Sequence, residues 1–237
     1  MTQLLLLSNA KTTGTGYLEW ARDALRSFLG DGARSILFVP YAAVTKSYDQ
    51  YVDDITPVFA DHLGLEIVGA HARSDPVAAL AGVDAVVVGG GNTWMLHRLM
   101  REQGLIDAVR AAVLDGLPYV GWSAGTNMAC PTIMTSNDMV IVDPLDYHAL
   151  DLIPFQINPH YLHGNPPGFF GETRETRIRE YLEVNPQMTV VGLPEGMGLR
   201  VDGGAIGVIG RDEPLRIFRR GVETFETRDA GDLAARA

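Results

Sequence analysis

A serine flanked by two glycines is the residue pattern most able to do chemistry in this chain. The run Gly121-Trp122-Ser123-Ala124-Gly125 directly follows Tyr119-Val120, which is typical of a buried strand. In a nucleophile elbow a strand turns sharply into a helix, and flanking glycines remove side chains that would clash around the strained serine. The Ser123 hydroxyl would then project from the carboxyl end of a central strand. The backbone N–H of Ala124 would point at a developing oxyanion.

A second glycine cluster, Gly89-Gly90-Gly91-Asn92-Thr93, also follows an apolar strand and precedes a helical pattern. A phosphate cradle is one interpretation, but the spacing of the known phosphate-binding glycine motifs is absent. The alternative is that bare backbone amides complete an oxyanion hole opposite Ala124. We expect Gly91 to supply that second N–H.

A nucleophilic serine needs a base, and His160 is the best-placed histidine. It lies near the end of the run Phe155–Tyr161, in which an apolar strand-like segment is terminated by Asn158-Pro159. His163 is the runner-up. The remaining histidines lie in predicted helices or near strand and loop ends without a distinctive setting: His62, His71, His97 and His148.

A third group should accept the other imidazole N–H and hold the correct tautomer. Asp138 lies in a polar turn before a predicted strand at Met139–Val142, and Glu195 follows another predicted strand. Sequence spacing alone does not choose between these two carboxylates.

The elements that must position these groups alternate between short apolar runs and longer helical patterns. Strands are predicted at Leu4–Leu7, Ser35–Val39, Leu65–Val68, Asp84–Val88 and Tyr119–Gly121, and helices at Tyr17–Leu29, Tyr48–Leu63, Thr93–Gln103 and Leu105–Leu114. This rhythm is typical of βαβ units with helices on both faces of a parallel sheet. We therefore predict an α/β fold, a three-layer αβα sandwich with a mostly parallel central sheet.

Beyond Met188 the pattern changes to short runs separated by glycine turns, which predicts antiparallel hairpins at the sheet edge. These runs are Thr189–Leu193, Gly198–Val201, Ala205–Ile209 and Leu215–Phe218. The last residues, Asp232–Ala237, are expected to fray. A length of 237 residues fits a single domain over 1–237.

The charge and composition of the chain restrict the classes of partner that it can bind. A net charge of −10 argues against nucleic-acid binding, which needs clustered Lys and Arg. No apolar run is long enough for a membrane span or signal peptide, so we expect a cytoplasmic protein. The single cysteine, Cys130, is expected to be a small buried apolar side chain. An anionic ligand would need a local cation, because the net charge opposes it.

The residues resemble those of peptidase E, the family of α-aspartyl dipeptidases, whose fold looks like that of class I glutamine amidotransferase domains. The resemblance covers nearly the whole chain and rests on linked blocks in the same order: Val88–Thr93, Gly121–Gly125, Pro131–Ile133 with Asn137–Met139, Gln156–His160, and Gly171–Arg174. The amidotransferases use cysteine at the elbow, so serine argues against glutamine-dependent ammonia transfer.

The resemblance implies a serine dipeptidase that acts on peptides with an N-terminal aspartate. It assigns Ser123 as nucleophile, His160 as base and Asp138 as orienting carboxylate, with Glu195 as the alternative. Asn92 and Thr93 are also expected to be substrate-binding residues. No metal or other cofactor is expected, and the protein is expected to be a monomer or homodimer.

An aspartate substrate needs a cation, and three arginines lie in the predicted helix Glu172–Leu182. Helical periodicity places Arg174 about 35° from the centre of the inward face and Arg177 and Arg179 near about 95–105° on its flanks. Arg174 is therefore expected to bind the substrate carboxylate, since its planar fork can donate two parallel hydrogen bonds. A solvent-exposed ion pair with Glu175 or another neighbour is the alternative.

Two other functions compete with the dipeptidase. One is a cyanophycinase-like hydrolase of aspartyl polymers, which should need an extended basic groove that the sequence does not offer. The other is a catalytically silent small-molecule binder, since fold alone does not establish activity.

Overall fold

Short apolar runs form two β-sheets in the computed structural model, which describes residues 1–168 and 170–233. In chain order the strands are β1 (Gln3–Leu7), β2 (Ser35–Val39), β3 (Glu66–Gly69), β4 (Ala85–Val88), β5 (Tyr119–Trp122), β6 (Gln156–Pro159), β7 (Thr189–Leu193), β8 (Met197–Asp202), β9 (Ala205–Gly210), β10 (Leu215–Arg219) and β11 (Phe225–Thr227).

The larger sheet has seven strands in the order β3-β2-β4-β5-β1-β8-β9. The pairs from β3 to β1 are parallel, whereas β1–β8 and β8–β9 are antiparallel. Strands β4 and β5 lie in the interior of this sheet and every residue in them is buried. The continuous apolar character of Val86–Val88 follows from burial on both faces.

Helices cover both faces of this sheet: α1 (Arg22–Leu29), α2 (Tyr48–Phe59), α3 (Thr93–Glu102), α4 (Leu105–Leu114) and α5 (Ala124–Ala129). Helix α6 (Arg174–Val184) packs instead against β7 and β10. Alternate residues of β1 separate the two cores. Leu5 and Leu7 pack with α1 and α2, whereas Leu4 and Leu6 pack with α3, α4 and α5. The predicted α/β class with a mostly parallel sheet is confirmed.

Two predicted elements differ from the structure. The first helix begins at Arg22 rather than Tyr17, because Leu18 has a left-handed backbone (φ 53°) and a short 3₁₀ turn intervenes. The segment Met139–Val142 forms no strand within the described residues. Met139 and Val140 are largely exposed there, so apolar residue types alone misled the prediction.

The C-terminal region supplies a second sheet that was not predicted, with strand order β11-β10-β7-β6. Only β8 and β9 extend the large sheet. Strand β7 instead pairs parallel to β6 and antiparallel to β10. Asn127 on α5 donates to the carbonyl of Ile157 in β6 at 2.9 Å, which ties this sheet to the elbow helix. Strand alternation predicts that a segment pairs, but not with which neighbour.

Cys130 is fully buried and unpaired, as its residue type predicted. Burial raises the pKa of its thiol to about 12, which keeps it protonated. No helix within residues 1–168 and 170–233 is long and apolar enough to cross a membrane. Of the segment expected to fray, residues 234–237 lie outside the described residues, and Gly231–Leu233 form a 3₁₀ turn.

Candidate active site

Ser123 lies in the sharp turn between β5 and α5, with φ 52° and ψ −111°. A non-glycine residue in such a conformation costs about 1–3 kcal/mol unless its surroundings hold it there. Its N–H donates to the Leu7 carbonyl at 3.1 Å. The buried hydroxyl of Thr126 donates to the Leu7 and Gly121 carbonyls at 2.7 and 3.0 Å. These bonds fix the elbow against the end of β1.

The two flanking glycines allow the turn to pack against β4. A side-chain carbon at Gly125 would overlap the carbonyl of Val88, and one at Gly121 would lie 2.5 Å from the carbonyl of Gly125. The buried Tyr119 hydroxyl also donates to that Gly125 carbonyl at 2.6 Å. The glycines are therefore required by close backbone approach rather than by turn flexibility alone.

His160 follows β6 and presents its imidazole to the elbow. Its Nε2 lies 2.8 Å from Ser123 Oγ. The backbone of His160 is left-handed (φ 54°), and its N–H donates to the Ser8 hydroxyl at 2.9 Å. Ser8 in turn donates to the Leu193 carbonyl at 2.9 Å. The residue after β1 thus joins the two sheets at the point where the histidine leaves β6.

Glu195 accepts a hydrogen bond from the other ring nitrogen of His160, whose Nδ1 lies 2.7 Å from Glu195 Oε1. The turn that carries Glu195 is held by Asn9, whose Oδ1 accepts from the Gly196 N–H at 2.7 Å. Because a carboxylate only accepts, Nδ1 carries the proton and Nε2 is free to accept from Ser123. This is the geometry of a nucleophile, a base and an orienting carboxylate.

Asp138 has no recorded contact with His160 among the described residues, so the geometry favours the alternative carboxylate, Glu195, for the orienting role. Its Oδ2 accepts from the Thr93 N–H at 2.8 Å, from the Thr93 hydroxyl at 2.6 Å and from Ser136 Oγ at 3.1 Å. A carboxylate at the start of a helix satisfies unpaired N–H groups and complements the helix dipole. Asp138 therefore anchors α3.

The polar side-chain groups of Asn92 and Thr93 take part in the same anchor of α3, and their assignment as substrate-binding residues stays a prediction. Thr93 is fully buried. Asn92 caps α3 by accepting from the Met95 N–H at 3.0 Å, and its amide donates to the Met139 carbonyl at 3.0 Å. Asn92 borders the site, but its side-chain hydrogen bonds hold the loop.

The two expected oxyanion donors flank the serine. Gly91 and Ser123 line one cavity of about 440 Å³, together with His160. Within the described residues no acceptor is recorded for the Gly91 N–H. Ala124 is the first residue of α5, so its N–H has no intrahelical partner. Neither N–H has a recorded acceptor among the described residues, so both stay candidates for the oxyanion hole.

His160 also lines a second cavity of about 980 Å³, which contains Arg174 and Glu195. Arg174 is half-buried, and its Nη1 donates to Asn137 Oδ1 at 2.6 Å. Asn137 in turn donates to the Pro159 carbonyl at 2.7 Å, next to the histidine. The cation is therefore fixed relative to the base.

Arg174 differs from the other arginines of that cavity. Arg177 and Arg211 lie 3.7 and 3.9 Å from Glu172 and Glu213, and Arg216 pairs with Glu226 and Glu175. Within residues 1–168 and 170–233 no carboxylate lies within ion-pair distance of Arg174.

Burial lowers the pKa of Arg174. Nearby Arg177 lowers this pKa further, while Asp138 acts in the opposite direction. A guanidinium nevertheless stays protonated in proteins. Arg174 is thus a partly desolvated cation whose charge a bound anion would compensate.

His163, the alternative base, lies in the large cavity near Arg216 and does not contact Ser123 in the described structure. Three positioning residues were missed from the sequence: Ser8, Asn9 and Asn137. The first two had a usable signal, since they are polar residues directly after a buried parallel strand, where ligands collect in α/β sheets. Asn137 lies in the block Asn137–Met139 that resembles the family, but its pattern assigned it no role.

Comparison with known proteins shows the family of this chain. The model of peptidase family S51 matches residues 4–209. A peptidase E from Nostoc sp. is 45% identical over 224 residues, covering 94% of this chain and 92% of the relative. A peptidase E from Salmonella typhimurium is 47% identical over 221 residues, covering 93% and 95%.

Solved structures show the same fold. A protein from Listeria monocytogenes EGD-e described as a peptidase E superposes with a TM-score of 0.66 at 20% identity, covering 90% of this chain and all of that one. A peptidase from an acI-B1 actinobacterium gives 0.66 at 15% identity, covering 97% and 95%.

The fold and the serine–histidine–carboxylate geometry define a serine peptidase. The chain belongs to peptidase family S51.

Replacing Gly125 by alanine should damage the elbow. The added carbon overlaps the Val88 carbonyl, so β4 and α5 must separate. We expect Gly125→Ala to lower the melting temperature by several degrees, since overpacking typically costs about 1–3 kcal/mol. Gly207→Ala is the matched control, because nothing lies within 4 Å of the added carbon there. Equal melting temperatures for the two variants would contradict the close-approach argument.

The carboxylate geometry predicts that Glu195→Gln lowers kcat by about 10²- to 10⁴-fold, because an amide disfavours the tautomer that leaves Nε2 free. Asp138→Asn should mainly lower the melting temperature by weakening the start of α3. Measuring kcat and thermal unfolding for both variants separates these roles. A larger kcat loss for Asp138→Asn, with Glu195→Gln near wild type, would restore Asp138 as the orienting residue.

Proposed function

We propose that this protein is a serine dipeptidase that hydrolyses peptides with an N-terminal aspartate through an acyl-enzyme on Ser123. The observation that carries the proposal is the hydrogen-bonded series Ser123–His160–Glu195 beside Arg174, a fixed arginine with no carboxylate partner in the described residues. Relatives called peptidase E, at 45–47% identity over most of the chain, support the same assignment.

The reaction begins when His160 Nε2 takes the proton from Ser123 Oγ as that oxygen attacks the scissile carbonyl carbon. Glu195 stabilises the imidazolium that forms. The C–N bond then breaks, and His160 returns the proton to the leaving amine. Water repeats the cycle on the ester, with His160 again acting as base. Every proton transfer uses one nitrogen, 2.8 Å from the serine oxygen.

The negative charge that develops on the carbonyl oxygen is bound by the N–H groups of Gly91 and Ala124. Both donors are backbone groups held by the packing around the elbow and the glycine loop. Fixed donors of this kind are typically worth about 2.7–4 kcal/mol each in transition-state stabilisation, because they need no reorganisation during the reaction.

Arg174 is proposed to bind the side-chain carboxylate of the substrate aspartate. Its guanidinium would exchange a single neutral partner, Asn137, for a charged one, which relieves the cost of its partial burial. The link from Asn137 to the Pro159 carbonyl keeps this subsite at a fixed position relative to His160. Binding and chemistry are thereby coupled through one rigid network.

The arginine pairing also favours a small substrate over an acidic polymer. A polymer would need several free cations along a groove, but Arg177, Arg211 and Arg216 of this cavity already have carboxylate partners. The intact nucleophile and base likewise favour an enzyme over a silent binder. A cytoplasmic location and a monomeric or homodimeric state stay predictions from the sequence.

Ser123→Ala should leave a folded protein that does not measurably hydrolyse Asp-Leu, since the hydroxyl supplies chemistry and little packing. Adding EDTA to the wild type should change nothing. The test is the Asp-Leu assay with a thermal melt of both proteins, together with Leu-Leu and an aspartyl polymer as comparison substrates. Substantial hydrolysis by the alanine variant, or its loss on chelation, would overturn the serine mechanism.

Removing the cation should lower kcat/KM for Asp-Leu by at least tens of fold in Arg174→Ala, because the subsite then lacks a charge-assisted donor pair. Arg174→Lys should also be impaired, since an ammonium cannot form the fork. Arg179→Ala is the matched control from the same helix, as Arg179 pairs with Glu175 and Thr224. A near-wild-type Arg174→Ala, with another arginine variant impaired, would move the subsite elsewhere.

A further inference from the structure

A cluster of three aromatic side chains lies beside the glycine loop, and all three line the cavity that contains Ser123. Tyr51 and Trp122 are almost fully buried, and Tyr17 packs edge-on against both rings. The Tyr51 hydroxyl lies 2.7 Å from the Gly90 carbonyl oxygen, 3.0 Å from the Tyr17 hydroxyl and 3.1 Å from Trp122 Nε1. The proposed chemistry assigns no role to this cluster.

The direction of each hydrogen bond follows from the inventory of donors. A carbonyl oxygen only accepts and an indole N–H only donates. The single hydrogen of Tyr51 must therefore go to Gly90. Its oxygen receives the hydrogen of Tyr17 and shares that of Trp122, whose Nε1 also donates to the Tyr17 oxygen at 3.2 Å. These bonds form one consistent set that ends on the backbone of the glycine loop.

The peptide that receives this hydrogen bond is the one that carries the proposed oxyanion donor. The Gly90 carbonyl and the Gly91 N–H belong to the same planar trans unit and point in opposite directions. Holding the carbonyl toward Tyr51 therefore holds the N–H on the other side. That N–H borders the cavity it shares with Ser123 and has no acceptor among the described residues.

The loop needs such a hold because three successive glycines have unusual backbone freedom. On its far side the Asn92 N–H donates to the Ala42 carbonyl at 2.9 Å, which fixes the next peptide but not this one. Side-chain carbons at Gly89 and Gly90 would lie 2.7 Å from Tyr51 and 2.8 Å from Trp122. Glycine is thus required for the close packing. The hydrogen bond from Tyr51 then fixes the plane of the Gly90–Gly91 peptide.

We propose that Tyr51 is a positioning residue that orients the Gly90–Gly91 peptide so that the Gly91 N–H faces the developing oxyanion. The inference rests on the proposed function and deepens it. Tyr51 touches no reacting atom and acts only through this peptide. Tyr17 and Trp122 assist by donating to the Tyr51 oxygen, which strengthens its own donation through cooperative polarisation.

The surroundings keep Tyr51 a donor over a wide pH range. Burial raises the pKa of Tyr51 well above its usual value, with neighbouring Tyr17 acting in the same direction. Lys46 Nζ lies 3.7 Å from the centre of the Tyr51 ring and pairs with Asp54 at 2.5 Å. The Tyr51 hydroxyl therefore remains protonated at neutral pH.

The test is Tyr51→Phe, which removes the hydroxyl and retains the ring. Without this hydrogen bond only packing holds the Gly90–Gly91 peptide, which should then adopt several orientations. We therefore expect kcat on Asp-Leu to fall by at least about 10-fold, with KM within about threefold of wild type. Tyr17→Phe is the matched control. It removes one donor to Tyr51 but leaves the bond to Gly90, so its loss of kcat should be clearly smaller.

A second measurement separates positioning from general damage. The boronic acid analogue of aspartate forms a tetrahedral adduct with a serine and so mimics the developing oxyanion, whereas product aspartate is planar at its carboxyl carbon and forms no such adduct. Tyr51→Phe should weaken inhibition by the boronate at least about tenfold more than inhibition by aspartate. Equal weakening of both inhibitors, or a wild-type kcat in a folded Tyr51→Phe, would overturn the inference.

The result for Ser123→Ala distinguishes a failure of the Tyr51 inference from a failure of the proposed function. If that variant is inactive while Tyr51→Phe behaves as wild type, only the positioning role fails. If Ser123→Ala retains activity, the proposed function itself fails, whatever Tyr51→Phe does.

Discussion

The site depends on one constraint, which is that Ser123 must hold a left-handed backbone at the end of a buried strand. Its φ of 52° is unfavourable for a residue with a side chain, so the surrounding contacts have to maintain it. They do so through backbone contact on two sides: Gly125 against β4, and the Ser123 N–H on the Leu7 carbonyl. Because the elbow is fixed by the sheet itself, the serine oxygen has a defined position before any substrate arrives.

The rest of the machinery is assembled from chain segments that approach that point from two sheets. Ser8 and Asn9, directly after β1, hold the backbones that carry His160 and Glu195 in the second sheet. Arg174 is fixed to the same end of β6 through Asn137. The net-negative chain thus keeps one half-buried cation without a carboxylate partner in the described residues, in the cavity where the base also lies. Local pairing, rather than net charge, decides what this cleft can attract.

Residue patterns were sufficient for the class of fold, and they singled out Ser123 and His160, which the structure brings within 2.8 Å of each other, because each has a local signature. The elbow needs glycines on both sides of Ser123, and buried parallel strands need continuous apolar runs. The orienting carboxylate had no such signature. Asp138 and Glu195 both follow predicted strands in polar turns, and only tertiary structure shows that Asp138 is used by Thr93 while Glu195 reaches His160. The second sheet was missed for the same reason. The residue pattern of β7 would be the same whether this strand paired with β1 or with β6. Tyr51 resembled an ordinary buried helix residue, and its hydroxyl contact with Gly90 spans 39 positions of the chain.

The central claim is that Ser123 becomes covalently attached to an aspartyl group, and trapping that attachment tests it most directly. The probe is the diphenyl phosphonate analogue of aspartate, in which an electrophilic phosphorus replaces the scissile carbonyl carbon. After inactivation, peptide mapping by mass spectrometry should locate one phosphonyl group on Ser123, and excess aspartate should slow its formation. Inactivation with the group on another residue, or failure of the analogue to label a protein that still cleaves Asp-Leu, would contradict the account.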